Sequence, residues 1–141
     1  MRKVILTVGY FIGLLFLVLL NPERIREPIP LNSRLRIHPV VDSLKDIMYP
    51  RGSSWWLHWF HFLTNLFGNI VLFIPFSFIA IMVFKLSRFI WVVLLACALS
   101  VAIEITQYYT GLGVADADDV ILNTAGAAIG FYLCKRYFNR Q

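Results

Sequence analysis

The feature that most constrains this chain is the length of its uncharged apolar runs. Val4 to Leu20 holds seventeen residues without a charge, preceded by Arg2 and Lys3. At 1.5 Å per residue a helix of that length covers about 26 Å, close to the roughly 30 Å hydrocarbon core of a bilayer. A cleaved signal peptide would want a shorter apolar core and a small-x-small cleavage site, and Leu19-Leu20-Asn21-Pro22-Glu23 offers neither. Further runs cover about 63–84, 89–108 and 120–134. The first two are joined by the basic turn Lys85-Leu86-Ser87-Arg88 and the last is closed by Lys135-Arg136. Charged residues make up 15% of the chain, where a soluble domain usually carries about 25%. The spacing therefore predicts an all-α fold. It is a polytopic membrane bundle of four transmembrane helices within a single membrane domain, residues 1–141.

Between the first two runs the character changes. Pro22, Pro28, Pro30, Pro39 and Pro50 break any long helix. Val41 to Tyr49 is expected as a short amphipathic helix. Trp55-Trp56-Leu57-His58-Trp59-Phe60-His61-Phe62 has the aromatic density that the headgroup boundary attracts. This region is expected as an interfacial loop leading into the second span. His58 and His61 are three apart and have metal-binding spacing, but they read as part of the aromatic belt. Pro75 should kink the second helix.

Basic residues set the expected topology. With the N-terminus in the cytoplasm, the inner ends and turn hold Arg2, Lys3, Lys85, Arg88, Lys135, Arg136 and Arg140. The outer turn Thr110 to Asp119 has three aspartates and no Lys or Arg. Both termini are thus expected in the cytoplasm of a multi-pass cell-membrane protein. The loop over residues 21–60 runs against this pattern, because it carries six basic residues and would lie outside. The formal charge of +5 follows the flanks of apolar runs rather than one stripe, which excludes nucleic acid as a partner. Cys97 and Cys134 lie inside apolar runs and read as small hydrophobes.

Glu104 is the most informative residue. A carboxylate inside an apolar span costs at least about 2.5 kcal/mol unless it finds a partner or water. Ser100 lies four residues before it and Gln107 three after, so one helical face carries all three. Asn65 and Asn69 are four apart near the start of the second span. Asp119 and Asn123 are four apart in the fourth, with Asp116 one turn earlier and Asp118 beside it. Three spans thus direct amides and carboxylates towards one depth, and Glu104 is expected to meet Asn69 and the Asp119/Asn123 face. The bland alternative is interhelical hydrogen-bond glue, worth around 0.6 kcal/mol per contact. Asp116, Asp118 and Asp119 are candidate oxygen ligands for a divalent cation, the one cofactor in view, and solvated turn carboxylates are the competing reading. Gly126 and Gly130 form Gly-x-x-x-Gly, which permits close helix approach, and Gly68 is expected to act likewise.

Two separated strings carry a resemblance. Asn65-x-x-Gly68-Asn69-x-x-x-Phe73-x-Pro75 is followed by Glu104-x-x-Gln107 and Asp116-x-Asp118-Asp119-x-x-x-Asn123-x-x-Gly126-x-x-x-Gly130. Together, over residues 65–130, they resemble the signature of the VanZ-like family. Its founding member is associated with resistance to the glycopeptide teicoplanin, so the resemblance implies a phenotype class without a reaction. Two positions depart from the family pattern. Gly111-Leu112-Gly113-Val114-Ala115 lacks the Arg that members often carry there, a natural counter-charge or anion ligand. Ser77 stands where Gly is common.

Two kinds of function are compatible with these residues. In the first, a cell-envelope protein alters susceptibility to lipoglycopeptides by binding a membrane lipid, a lipid-linked cell-wall intermediate or an acylated glycopeptide in an outward-facing polar pocket. That pocket is formed by Asn65, Asn69, Ser100, Glu104, Gln107, Asp116, Asp119 and Asn123. In the second, an intramembrane enzyme acts on a lipid or lipid-linked intermediate, with Glu104 as catalytic acid or base. A small transporter or accessory subunit is a further option, and it would require a homo-oligomer.

Overall fold

In a computed structural model the described residues are 2–19, 25, 29–37, 48 and 55–139. Among them are four long helices: α1 (Arg2–Leu19), α2 (Trp55–Met82), α3 (Phe89–Thr110) and α4 (Ala117–Phe138). By length and composition α2 and α3 are able to cross a membrane, and Lys3–Leu19 forms a shorter apolar helix. Helix α2 starts earlier than the expected span. Its 28 residues extend about 42 Å, so the aromatic segment forms its first turns and projects beyond a 30 Å core. There Trp55, Trp56, Trp59 and Phe62 meet edge to face.

Successive helices alternate in direction. Asp119 at the start of α4 meets Asn65 near the start of α2, and Gln107 near the end of α3 reaches the Val18 carbonyl at the end of α1. At the opposite end Phe89 packs on Phe131 and Tyr132. The acidic turn and the 29–37 segment therefore share one end. Lys85, Arg88, Lys135 and Arg136 occupy the other.

Helix α4 lies between α2 and α3, which have little direct contact with each other. Its small residues explain that central place. A Cβ at Gly126 would overlap the Ile70 carbonyl oxygen, and one at Gly130 would stand 2.5 Å from that of Ile74. The expected close approach is thus between α4 and α2. Gly68 does not share it, because an added Cβ there meets nothing within 4 Å. Ala127, Phe131, Phe73, Phe76, Val92, Ala96 and Ile103 fill the interior. Ser77, the departure noted above, is fully buried, and its hydroxyl donates to the Ala127 carbonyl at 2.6 Å. Ser77→Ala should therefore lower thermal stability by about 1 kcal/mol, read as a reduced Tm of the purified protein. An unchanged Tm would show that this contact contributes nothing.

Helix α2 runs on through Pro75, whose missing N–H leaves the preceding turn short of a donor. One turn before it, the Leu72 carbonyl accepts from the Tyr10 hydroxyl at 3.0 Å, which ties α1 to α2. The outward faces are strongly apolar, with Leu17 68% and Phe60 65% exposed. Water does not tolerate apolar surface on that scale in a monomer, whereas a bilayer does.

One element lies outside the all-α expectation. Leu35–Arg36 (β1) pairs in parallel with Ala115–Asp116 (β2), Leu35 opposite Ala115 and Arg36 opposite Asp116. The loop after α1 thereby docks onto the α3–α4 turn. Of the amphipathic helix expected over Val41 to Tyr49 only Met48 is among the described residues, and the side chains of His58 and His61 lie outside them.

Candidate functional site

The acidic turn folds as a helix start. Asp116 is the N-cap of α4, its carboxylate accepting the Asp118 amide at 2.8 Å, and Asp118 and Asp119 sit in the first turn. Carboxylates belong at a helix N-terminus, because they satisfy unpaired amides and meet the positive end of the dipole. The fourth helix thus begins within the acidic turn, at Ala117.

From that start the polar residues of three helices meet in rungs. On the inner rung Asn123 of α4 donates through Nδ2 to Ser100 Oγ of α3 at 2.8 Å, both buried. One turn outward lie Asp119 on α4 and Glu104 on α3. Asp119 Oδ1 accepts from Asn69 Nδ2 at 2.6 Å and from Asn65 Nδ2 at 3.1 Å, binding α4 to α2. Glu104 is 8% exposed, and its Oε2 accepts the Asp116 backbone amide at 2.8 Å. The buried face Ser100, Glu104 and Gln107 is as the spacing predicts. Asn69 donates to Asp119, whereas the expectation placed it against Glu104. The direct partner of Glu104 is the Asp116 amide, because the α4 N-terminus is folded over it.

Two arginines enter from the docked loop. Arg36 Nη1 lies 4.0 Å from Asp116 Oδ2. Arg34 Nη1 donates to the Tyr108 and Tyr109 carbonyls at 3.1 and 3.3 Å, meeting the negative end of α3. Gly111 makes room for this. It ends α3 in the left-handed conformation at φ 72°, its amide bonded to the Gln107 carbonyl at 2.8 Å, and any Cβ there would strike the Arg34 guanidinium. The positive charge missing from residues 111–115 is thus supplied from far along the chain. Sequence reading did not single these arginines out. The only signal was alternation in Arg34-Leu35-Arg36-Ile37, which suits a short extended segment.

Two of the three proposed cation ligands have another occupation. Asp116 caps α4 and faces Arg36, while Asp119 holds Asn65 and Asn69. Among the described residues no three His, Cys, Asp or Glu side chains converge in a group that could hold a metal ion.

A family model described as VanZ/LLP1 matches residues 7–138. This chain belongs to the VanZ/LLP1 family. The VanZ/LLP1 match takes in the membrane-type helices, the docked loop and both motif strings, nearly the whole chain rather than the half that the motifs mark. Comparison with curated proteins and with solved structures gives no match. VanZ/LLP1 membership points to a function of the teicoplanin-resistance type in a membrane protein.

Proposed function

We propose that this protein is a four-span cell-membrane protein that lowers susceptibility to lipoglycopeptides such as teicoplanin. It does so by holding an acylated or lipid-linked ligand at the cluster of Asn65, Asn69, Ser100, Glu104, Gln107, Asp116, Asp119 and Asn123. The observation that carries this reading is the Asp119 carboxylate, clamped by two asparagines of α2 beside the buried Glu104 of α3. Two carboxylates at one level of an apolar bundle are far costlier than helix packing requires. Asp119→Asn keeps the side-chain shape and removes the charge. In cells carrying equal amounts of either form, wild type should raise the teicoplanin concentration that stops growth, and the Asn variant should not. Equal protection by both would remove Asp119 from the function.

The proposed orientation has both termini in the cytoplasm and the carboxylate cluster on the outer side. Lys85, Arg88, Lys135 and Arg136 at the opposite end support it. So does the engagement of Arg34 and Arg36, which leaves fewer free positive charges in the loop after α1. Cysteine introduced at Leu112 should react with an impermeant maleimide added to intact cells, and cysteine at Lys85 should react only after permeabilisation. The reverse pattern would invert the orientation.

A further inference from the structure

The end of the bundle away from the acidic turn gathers charge of one sign. Lys85 and Arg88 belong to the turn between α2 and α3, and Lys135 and Arg136 to the last turn of α4, all of them exposed. The two pairs are far apart in the chain, and ring packing brings them together. Phe89, next to Arg88, lies 5.4 Å from both Phe131 and Tyr132 between ring centroids. The Lys135 ammonium stands over the same Phe131 ring, 5.7 Å from its centroid.

Among the described residues no carboxylate balances this patch. Neither 47–103 nor 120–141 contains an aspartate or a glutamate. Glu104, Asp116, Asp118 and Asp119 all lie at the opposite end. Helix ends sharpen the imbalance at Arg88. It is the N-cap of α3, where no side chain caps the free amides and the first turn has no acidic residue. A cation there meets the positive end of the helix dipole, whereas Lys135 and Arg136 meet the negative end of α4. Lys85 adds a backbone cost, since it is held at φ 56°, a conformation glycine adopts freely. Like charges gathered around an uncapped helix start are unfavourable for the protein alone, and an anion from outside offsets them.

The surroundings select the kind of anion. Apolar surface begins directly beside the patch, with Ile90 52%, Trp91 56% and Leu133 46% exposed. A soluble anion would leave that surface uncovered, whereas an amphiphile with a negative head matches both parts. We infer that this end binds the phosphate of an anionic phospholipid between Arg88 of the α2–α3 turn and Lys135 of α4, its acyl chains along the adjoining apolar surface. The site is separate from the polar cluster and does not depend on the function assigned there.

The test uses the full chain in zwitterionic micelles, titrated with phosphatidylglycerol or phosphatidylcholine of identical acyl chains, with retained lipid read by native mass spectrometry. Wild type should retain phosphatidylglycerol at least about tenfold more tightly, as two basic side chains near a headgroup imply. Arg88→Gln with Lys135→Gln should lose that preference. Arg2→Gln with Lys3→Gln removes the same charge from the start of α1, which packs on α2 more than on α3 or α4, and should keep it. Both variants are checked for a monodisperse elution profile, and Lys135→Gln alone, on an exposed side chain, should already lose part of the preference. Equal retention of the two lipids by wild type would overturn the inference. Equal loss in the two double variants would also overturn it, leaving a general attraction of basic ends to a negative surface. Displacement of the lipid by equimolar inorganic phosphate would overturn the assignment to a lipid in favour of a soluble anion.

Discussion

Replacing Gly126 with leucine should prevent α4 from seating against α2 and leave little folded protein. A single Cβ at that position already overlaps the Ile70 carbonyl, which belongs to helix backbone and has no rotamer to yield. Overpacking a well-filled interior typically costs about 1–3 kcal/mol, and a clash with backbone lies at or beyond the upper end. Because α4 also carries Asp119 and Asn123, its displacement would break the contacts to Asn65, Asn69 and Ser100. The informative contrast is Gly68, where an added Cβ meets open space. Gly68→Ala should be neutral or stabilising by about 0.5–1 kcal/mol, since glycine in a helix interior carries an entropic penalty. Thermal unfolding of both variants decides the matter. Equal effects would mean that α2 and α4 are not in backbone contact.

Asp119→Ala should be the most damaging polar substitution. It removes the acceptor shared by Asn65 and Asn69, and hydrogen bonds to a charged group contribute about 1.5–3 kcal/mol each. Its two partners differ in setting. Asn69 is half-buried at 2.6 Å, whereas Asn65 is exposed at 3.1 Å and competes with solvent. The expected order of lost stability is therefore Asp119→Ala, then Asn69→Ala, then Asn65→Ala, measured as Tm at matched detergent concentration. Asn65→Ala as severe as Asp119→Ala would contradict the geometry.

Much of this arrangement was legible in the sequence for a definite reason. In an apolar helix a polar residue stands out, and spacings of three and four place it on a face. Ser100, Glu104 and Gln107 could be assigned to one buried stripe before any contact was known, and Asn69, Glu104 and Asp119 could be placed at one depth, but depth did not say that Asn69 pairs with Asp119 rather than with Glu104. Gly126 and Gly130 were readable as a close approach because small residues four apart align on one side. Gly68 showed the limit of such local reading, since only the position of α4 decides which glycine is pressed against backbone. The arginines were hidden for a different reason. Arg36 reaches Asp116, and Arg34 the end of α3, through a two-residue strand pairing across about eighty positions of chain, and nothing local announces such a pairing. The hydrogen bond from the Asp116 amide to Glu104 was equally out of reach, because it depends on where the cap of α4 folds back.

The central claim is that the Glu104 carboxylate serves function rather than helix packing. Glu104→Gln keeps the size of the side chain and an oxygen able to accept the Asp116 amide, while removing the buried charge. The variant should therefore insert and fold as well as wild type, with an equal or higher Tm. The decisive measurement is protection against teicoplanin in cells carrying equal amounts of each form. Loss of protection by a normally folded Gln variant is the predicted result. Full protection by that variant would contradict it and reduce the cluster to a means of holding helices together.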